Sequence, residues 1–303
     1  MRIRIVLAAV LALFVAAPPA PAAASSSTAA ENVTTTVWQW NVSGWVIHRN
    51  STTDGLIPAL TASIRNRNAT FVALNEICWD QYKAVQADLA ASGWPQSTAN
   101  FSRFEAQLDT VCNGDPFGLA IFSKAPLGTA DRFTLTAEPR DNGELRKLLC
   151  APVTGKRLRL CTTHLTPYGM VNTQLNEVRA RVEAFEDAGD AVIVTGDYNT
   201  EPSYDRLNSW YAASANTTTN PGNWGRHREL DDTDPVCPGY GEGTTNRTDN
   251  GACGLGSKID LIFVPENRIV GSYFGDSLTI STACGKPCSD HRIVYGTVTL
   301  SVG

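Results

Sequence analysis

The sequence predicts an α/β (α+β) fold in which helices pack on the outside of two β-sheets. Short apolar runs separated by loops predict strands at residues 36–42, 70–75, 118–124, 145–152, 157–164, 191–196, 259–264 and 292–300. Longer segments predict helices at residues 54–67, 79–92 and 172–188, the last with apolar residues at helical spacing. Because strands and helices mix without strict alternation, the pattern fits a sandwich of layers.

The first residues are typical of a secretory signal peptide. Residues 1–24 run from a basic start at Arg2 and Arg4, through an apolar stretch at residues 5–17, to three small residues at the end. A membrane anchor is the alternative, but 13 apolar residues are too few to span a bilayer comfortably. Residues 25–34 are predicted as a disordered lead-in, and residues 35–303 as one domain, since no linker or repeat divides them.

The net charge limits the kinds of molecule that the protein is expected to bind. Removing residues 1–24 takes away two arginines and leaves 23 basic against 30 acidic residues, a net charge of −7. The mature chain therefore lacks the global basic field that favours tight binding of nucleic acid. A nuclease is not excluded, because a metal and local arginines are able to contact phosphates. We expect a monomer without a stable protein partner.

Eight cysteines in a secreted chain predict disulfides. Residues 148–161 read as a β-hairpin, and a two-residue type II′ turn at Gly155-Lys156 would place Cys150 opposite Cys161. A register centred one residue earlier, on Thr154-Gly155, would separate the two cysteines. The hairpin thus predicts a disulfide that depends on its register.

The other pairings depend on proximity in the sequence. Cys284 and Cys288 bracket a short loop and are plausible partners, and the remaining pairs are assigned as Cys78 with Cys112 and Cys237 with Cys253. Zinc binding is the alternative for such clusters. The sequence contains no Cys-x-x-Cys pair, which disfavours zinc.

Polar residues recur at one end or the other of the predicted strands. In chain order the segments are Trp40-Asn41-Val42, Leu74-Asn75-Glu76, Thr163-His164-Leu165, Gly196-Asp197-Tyr198-Asn199, Lys258-Ile259-Asp260 and Ser289-Asp290-His291. Carboxylates and a carboxamide suit a hard cation such as Mg²⁺, and a histidine beside them suits proton transfer or charge stabilisation. The series therefore predicts a hydrolytic site that contains a metal.

In this order and spread over most of the chain, the series resembles the endonuclease/exonuclease/phosphatase superfamily. This is the group of deoxyribonuclease I, abasic-site endonucleases, bacterial sphingomyelinases and inositol polyphosphate phosphatases. The resemblance covers roughly residues 35–302 and identifies the chain as a secreted bacterial member. It implies a deoxyribonuclease I-like, four-layer α/β/β/α sandwich with its active site at one end of the two sheets.

The resemblance also implies a set of metal ligands. Glu76 matches the principal ligand, Asp290 matches the second metal carboxylate, and Asn41 matches an asparagine of the metal shell. The expected cofactor is Mg²⁺, with Mn²⁺ or Ca²⁺ as alternatives. Taken without the series, Glu76 reads as an acid at a helix N-terminus and Asn41 as a turn residue.

Five further residues acquire catalytic roles from the same resemblance. Asp197 would orient or deprotonate an attacking water, while Asn199, which lies two residues on and so points the same way, would hold that water or a phosphate oxygen. Asp260 would pair with His291, which would then stabilise the pentacovalent phosphate or help proton transfer. His164 would act as a second acid on the leaving-group side, or else serve as a hydrogen-bonded core histidine.

The resemblance also implies a basic residue that faces the substrate phosphate, on the strand near residue 146. Arg146 is the first choice for this contact and Arg140 the alternative, while a solvated charge run would explain either residue without any ligand.

Together these features predict a secreted, Mg²⁺-dependent phosphodiesterase. An extracellular nuclease, in particular an endonuclease, is the leading interpretation, with nucleic acid as the substrate. A sphingomyelinase-like phospholipid phosphodiesterase is the runner-up, and a phosphomonoesterase comes third. A non-catalytic binding module or toxin subunit should lack part of the series, and no part of it is missing.

Overall fold

The computed structural model describes residues 31–245 and 257–303, which form two β-sheets with α-helices on their outer faces. The first part of the chain contains, in order, β1 (Glu31–Asn41), α1 (Leu56–Asn66), β2 (Phe71–Cys78), α2 (Trp79–Ala91), β3 (Ser102–Cys112), β4 (Asp115–Ser123), β5 (Asp131–Thr134) and β6 (Lys147–Pro152). The second part contains β7 (Leu158–His164), α3 (Val171–Asp187), β8 (Ala191–Asp197), β9 (His227–Glu229), β10 (Asp260–Pro265), β11 (Phe274–Leu278) and β12 (Ile293–Val302).

The strands divide into two sheets of six. The first sheet has the order β11-β12-β1-β2-β4-β3, and the second has the order β5-β6-β7-β8-β10-β9. One apolar cluster lies between the sheets, a second joins the first sheet to α1 and α2, and a third joins the second sheet to α3. The predicted four-layer α/β/β/α sandwich is therefore confirmed.

Each sheet contains one parallel pair of strands at its centre, and this arrangement positions the polar strand ends. Helix α1 connects β1 to the parallel strand β2, and helix α3 connects β7 to the parallel strand β8. Parallel pairing puts both carboxyl ends at the same edge of a sheet. Asn41 is consequently the register partner of Asn75, and His164 is the register partner of Asp197.

Strand β1 includes residues that the sequence predicts to be disordered. Residues 31–34 were assigned to a disordered lead-in, but they form the start of β1, where Glu31 pairs with Val302 and Thr34 pairs with Thr299. The long strand β12 supplies these partners. Strand β1 therefore includes residues that composition alone predicts to be a disordered lead-in. The predicted signal peptide, residues 1–24, lies outside the described residues, and the division into segments otherwise stays a prediction.

Three of the predicted disulfides are confirmed, Cys78–Cys112, Cys150–Cys161 and Cys284–Cys288. Cys253 lies outside the described residues, so the pairing of Cys237 with Cys253 stays a prediction. Among the described residues, no helix is both long enough and apolar enough to cross a membrane.

The β6–β7 hairpin has the predicted register but a longer turn. Cys150 lies directly opposite Cys161, with their Cα atoms 4.1 Å apart. Val153 donates its N–H to the carbonyl of Leu158, and residues 154–157 form a four-residue loop in place of the predicted two-residue turn. Gly155 adopts a positive φ of 76° in this loop, a conformation that glycine takes without steric cost.

A fully buried lysine anchors the start of β10. Lys258 has no exposed surface, and its Nζ atom lies 2.9 Å from Glu229 Oε2 and 2.6 Å from Asp231 Oδ2. Removing one partner of a buried ion pair leaves an uncompensated charge, which typically costs about 3–5 kcal/mol.

Lys258→Met should therefore lower the free energy of unfolding by about 3–5 kcal/mol. Chemical denaturation followed by circular dichroism measures this loss. The matched control is Lys83→Met, which removes an exposed pair with Asp80 and should change stability little. Equal stability of the two variants would contradict a stabilising role for the buried lysine.

Candidate active site

The predicted polar residues converge at one edge of the sandwich, where the two sheets face each other. Asn41 and Glu76 come from the first sheet, and His164 and Asp197 end adjacent strands of the second. Strand β10 runs antiparallel to β8, so its first residue, Asp260, is the register partner of Asp197. A cavity of about 360 Å³ opens here, lined by Glu76, His164, Asp197, Asn199 and His291 among others.

The backbone of β2 is distorted where it carries Glu76. The register with β4 shifts between Leu74 and Ile77, and Glu76 has a φ of 56°, in the left-handed region that non-glycine residues rarely adopt. This bulge aims the carboxylate into the cavity. Burial raises the pKa of Glu76, and a hydrogen bond of 3.0 Å from Asn41 Nδ2 to Glu76 Oε1 opposes that rise.

Asn41 bridges the carboxylates of the two sheets. Its Nδ2 group donates to Glu76 Oε1 at 3.0 Å and to Asp197 Oδ2 at 3.1 Å. Its Oδ1 atom accepts the N–H of Ser43 at 3.1 Å, which leaves one lone pair for a cation. Asn41 thus fixes the spacing of Glu76 and Asp197 whether or not it also binds metal.

Asp197 lies at the centre of the cavity wall. Its Oδ1 atom accepts the N–H of Asn199 at 3.0 Å, and its own N–H donates to Asn75 Oδ1 at 2.9 Å. Burial, followed by the charge of Asp260, raises the pKa of Asp197 to about 7. A carboxylate with its pKa near neutrality is well matched to accept a proton from water.

Asp260 and His291 form the predicted carboxylate–imidazole pair. His291 Nδ1 lies 2.8 Å from Asp260 Oδ2, and His291 Nε2 lies 3.7 Å from Asp197 Oδ2. Burial alone would lower the pKa of His291, but the charges of Asp260 and Asp197 outweigh it and raise the pKa to about 10. His291 is therefore an imidazolium at neutral pH, the form that stabilises negative charge.

His164 lines the same cavity as His291 but differs from it in charge. Its Nε2 atom lies 3.6 Å from Asp197 Oδ2. Burial, followed by the positive charges of Arg146 and His291, lowers its pKa well below the usual value. His164 is therefore neutral at pH 7, unlike His291.

Asn199 turns back towards the strand that carries His164. It has a φ of 48°, and its Nδ2 group donates to the carbonyl of Leu165 at 2.8 Å. This contact fixes the amide next to Asp197 at the cavity, although β8 ends at Asp197 and the alternation of a strand does not extend to Asn199.

Arg146 lines the cavity but is largely committed to neighbouring acids. Its Nε and Nη2 atoms each donate to Asp141 at 3.0 Å, and its Nη1 atom lies 2.9 Å from Glu144 Oε1. Phosphate binding by Arg146 stays a prediction, with Nη1 as the atom for it. The alternative, Arg140, pairs with Glu138 and lies over the ring of Tyr168, and it is not part of the cavity lining.

Asp290 differs from the other predicted ligands because it is exposed. It lies beside His291, and its negative charge contributes to the raised pKa of Glu76. Asp197, Asp260 and His291 form an alternative group with metal-ligand spacing. Asp260 Oδ2 is already bonded to His291 Nδ1, so we assign that group to charge pairing and keep Asn41, Glu76 and Asp290 as the predicted metal set.

Sequence reasoning missed the buried amide side chains that form hydrogen bonds with the residues of the cavity wall. Gln39 Nε2 donates to Asp260 Oδ1 at 3.2 Å and to Asn75 Oδ1 at 2.8 Å, and Asn75 in turn donates to the carbonyl of Thr163. These buried amides connect strands of both sheets. The available signal was an amide inside an apolar strand, since a buried polar group requires a partner.

The cavity also contains a half-buried acid and an apolar wall that the sequence did not predict. Burial raises the pKa of Glu144 to about 7. The apolar wall consists of Trp45, Val46, Leu108, Val111 and Phe117, next to the Cys78–Cys112 disulfide. These side chains come from separate loops and strands, so no local pattern connects them.

Similarity to known proteins agrees with this architecture. The model of the Endonuclease/Exonuclease/phosphatase family matches residues 38–291. No curated protein sequence matches the chain. Among solved structures, the endonuclease/exonuclease/phosphatase from Bacteroides vulgatus has a TM-score of 0.62 at 16% identity, covering 89% of this chain and 100% of that one.

Two further structures share the fold at similarly low identity. The human Nocturnin catalytic domain with bound sulfate has a TM-score of 0.61 at 16% identity, covering 91% of this chain and 97% of that one. Danio rerio (D. rerio) TDP2 complexed with single-strand DNA product has a TM-score of 0.57 at 16% identity, covering 88% and 98%. Since the family model spans most of the sequence and these neighbours share the sandwich, the chain belongs to the endonuclease/exonuclease/phosphatase family, whose members are typically metal-dependent hydrolases of phosphoric esters.

Proposed function

We propose that this protein is a secreted, Mg²⁺-dependent nuclease that hydrolyses phosphodiester bonds by attack of water. The observation that carries the proposal is the convergence of Glu76, Asp197 and the Asp260–His291 pair in one cavity. This combination supplies a carboxylate for a cation, a base for water and a positive group for the developing charge.

The residues present fit a hard divalent cation. Glu76 offers a half-buried carboxylate at the cavity, while Asp290 and the oxygen of Asn41 add further oxygen donors. When bound, such a cation would polarise a phosphoryl oxygen. We propose Mg²⁺ as the cation, with Mn²⁺ or Ca²⁺ as alternatives.

The remaining groups have separate tasks in the proposed reaction. Asp197 accepts the proton of the attacking water, and Asn199 holds that water or a phosphate oxygen in place. The imidazolium of His291 stabilises negative charge on the phosphate, and Asp260 keeps its ring in position. Neutral His164 donates a hydrogen bond on the leaving-group side.

The apolar wall of the cavity supports a nucleic acid substrate. Trp45 presents aromatic surface beside the catalytic residues, and bases stack on such side chains without sequence preference. The D. rerio TDP2 structure contains a single-strand DNA product, which supports the same substrate class by analogy of fold. Three disulfides support an extracellular location.

A phospholipid phosphodiesterase is the second candidate, and one observation favours it. Val46 lies at the cavity beside Trp45 and is 64% exposed. An exposed apolar residue next to an aromatic one is suited to contact with a lipid surface.

A substrate panel tests the proposal directly. The mature protein, with Mg²⁺ or with excess EDTA, is assayed on plasmid DNA, RNA, sphingomyelin and bis-p-nitrophenyl phosphate. We expect hydrolysis of DNA or RNA with Mg²⁺ and none with EDTA, and Glu76→Gln should lose this activity as EDTA does. Hydrolysis of sphingomyelin alone would favour the second candidate, and full activity in EDTA would refute the role of the metal.

A further inference from the structure

Three exposed aromatic rings lie around the first half of helix α3, next to the proposed active site. Tyr168, Tyr204 and Trp224 are 40%, 45% and 66% exposed. In the described part of the chain nine large apolar side chains are exposed, and these three together with Met170 account for four of them. Exposed apolar side chains that gather in one place mark a contact surface, whereas singly scattered ones do not.

An arginine guanidinium lies over each of these rings. The pairs are Arg140 with Tyr168, Arg206 with Tyr204 and Arg179 with Trp224, with the Cζ atoms 4.6, 5.3 and 5.9 Å from the ring centres. Two of the arginines also pair with acids, Arg140 with Glu138 and Arg179 with Glu183. The Nε atom of Arg179 nevertheless lacks a hydrogen-bond partner among the described residues. Each pair thus places an aromatic face and a positive charge at the same point of the surface.

A groove leads from the catalytic cavity towards Trp224. Pro167 and Asn199 line the cavity, and the residues that follow each of them line the groove. The nearer part of the groove, about 580 Å³, is lined by Asn172, Ser203, Tyr204, Asp205 and Arg206. The further part, about 350 Å³, shares three of these residues and continues to Trp224. The same two segments of chain therefore form walls of both the cavity and the groove.

Helix α3 contributes a polar stripe to this groove. Asn172, Asn176 and Arg179 line it at intervals of four and three residues, which is the spacing of one helix face. Since each residue of a helix rises about 1.5 Å, the stripe is about 10 Å long. Amide and guanidinium groups donate hydrogen bonds to phosphate oxygens. The stripe therefore suits a phosphate backbone, while the rings suit bases.

We propose that this groove, the aromatic track, holds single-stranded nucleic acid on one side of the scissile phosphate, as far as Trp224. The inference rests on the nuclease function proposed above and names the form of its substrate. Proteins that hold single strands combine a basic groove with aromatic side chains on which successive bases stack. In a duplex the bases are paired and stacked on one another, so the rings of the track fit unpaired bases.

The charges of the aromatic track indicate that stacking contributes more to binding than phosphate contacts do. Arg179 and Arg206 line its further part together with one acid, Asp205. The excess of positive charge is therefore small, in agreement with the net negative charge of the chain. Few neutralised phosphates release few counterions, so the affinity should fall only weakly as salt is added.

The rings at the far end of the track are held on a fixed backbone. The N–H of Trp224 donates to the carbonyl of Asn208 at 2.9 Å, and the N–H of Tyr204 donates to the carbonyl of Glu201 at 3.0 Å. The carbonyl of Tyr204 in turn accepts the N–H of Leu207. A surface that is already in position loses less conformational freedom when a ligand binds. The two rings thus form a prepared platform for bases.

Binding is measured in a protein that does not turn over, the mature Glu76→Gln variant in EDTA. Fluorescence anisotropy of a labelled oligothymidylate gives the Kd. Adding Trp224→Ala should weaken binding by about 5–150-fold, the range expected for the loss of one stacked base, and Tyr204→Ala should act in the same direction. The matched control is Phe274→Ala, which removes an exposed ring from β11 of the other sheet and should leave the Kd unchanged. Circular dichroism checks that each variant is folded.

The outcomes separate this inference from the proposed nuclease function, because binding in EDTA does not depend on turnover. An unchanged Kd in both Trp224→Ala and Tyr204→Ala would overturn the track, and a duplex that binds as tightly as the single strand would overturn its assignment to unpaired bases. Displacement of the oligonucleotide by a neutral oligosaccharide would assign the rings to carbohydrate instead. The expected binding in a protein that hydrolyses neither DNA nor RNA would refute the nuclease function and support the track as a binding surface.

Discussion

Asp197→Asn should lower turnover by about 10²–10⁴-fold while the protein remains folded. The amide has nearly the shape of the carboxylate, and its oxygen can still accept the N–H of Asn199, but it is a far poorer proton acceptor. The measurement is hydrolysis of the best substrate of the panel at saturating Mg²⁺, with folding checked by circular dichroism.

The matched control for this variant is Asp205→Asn, which makes the same chemical change at an exposed position. Its turnover should equal that of the unmodified protein. Near-normal turnover of Asp197→Asn would refute the role of Asp197 as the base, whereas a loss that accompanies unfolding would be a structural effect and is recognised by the spectrum.

His291→Ala should also cost about 10²–10⁴-fold in turnover, because it removes the positive group that we propose stabilises charge on the reacting phosphate. Asp260→Asn should reduce turnover through the same histidine, since its Oδ2 atom fixes the ring through a hydrogen bond of 2.8 Å. Residues that act as one unit have non-additive effects. Asp260→Asn should therefore cost much less in the His291→Ala background than it does alone.

The double-mutant cycle needs all four proteins, the unmodified chain, each single variant and the double variant, assayed on one substrate. Full additivity of the two losses would show that Asp260 and His291 act independently and would end their assignment as a pair. It would leave the assignment of Asp197 intact, because that rests on a separate variant.

The sequence predicts the strands at the centre of the fold better than those at its edges. Eight strands were predicted, and all eight are present, while β3, β5, β9 and β11 were missed. These four are the outermost strands of the two sheets. An edge strand pairs on one side only and is partly solvated, so it does not need the apolar run by which a central strand is recognised.

The residues of the site likewise divide into those that the sequence predicts and those that it does not. Asp197, Asp260 and His291 could be placed from the sequence because each lies at one end of a predicted strand, and because the family resemblance implies a site at one end of the two sheets. Gln39 and Glu144 could not, because their roles arise from contacts with distant parts of the chain. Gln39, for example, reaches Asp260, which is 221 positions away in the sequence.

Because the site is divided between two sheets, only a molecule in which both sheets have formed is able to be active. Asn41, Glu76 and His291 belong with the first sheet, whereas His164, Asp197 and Asp260 belong with the second. The indole N–H of Trp40 reaches the carbonyl of His291 across 251 positions, so even the first sheet is complete only when the last strand has joined it. A fragment or a nascent chain that stops before His291 lacks part of the constellation, and one that stops before β12 lacks the strand that completes the first sheet. Hydrolysis therefore requires the complete chain. The appearance of activity during refolding would show that the two sheets have packed together.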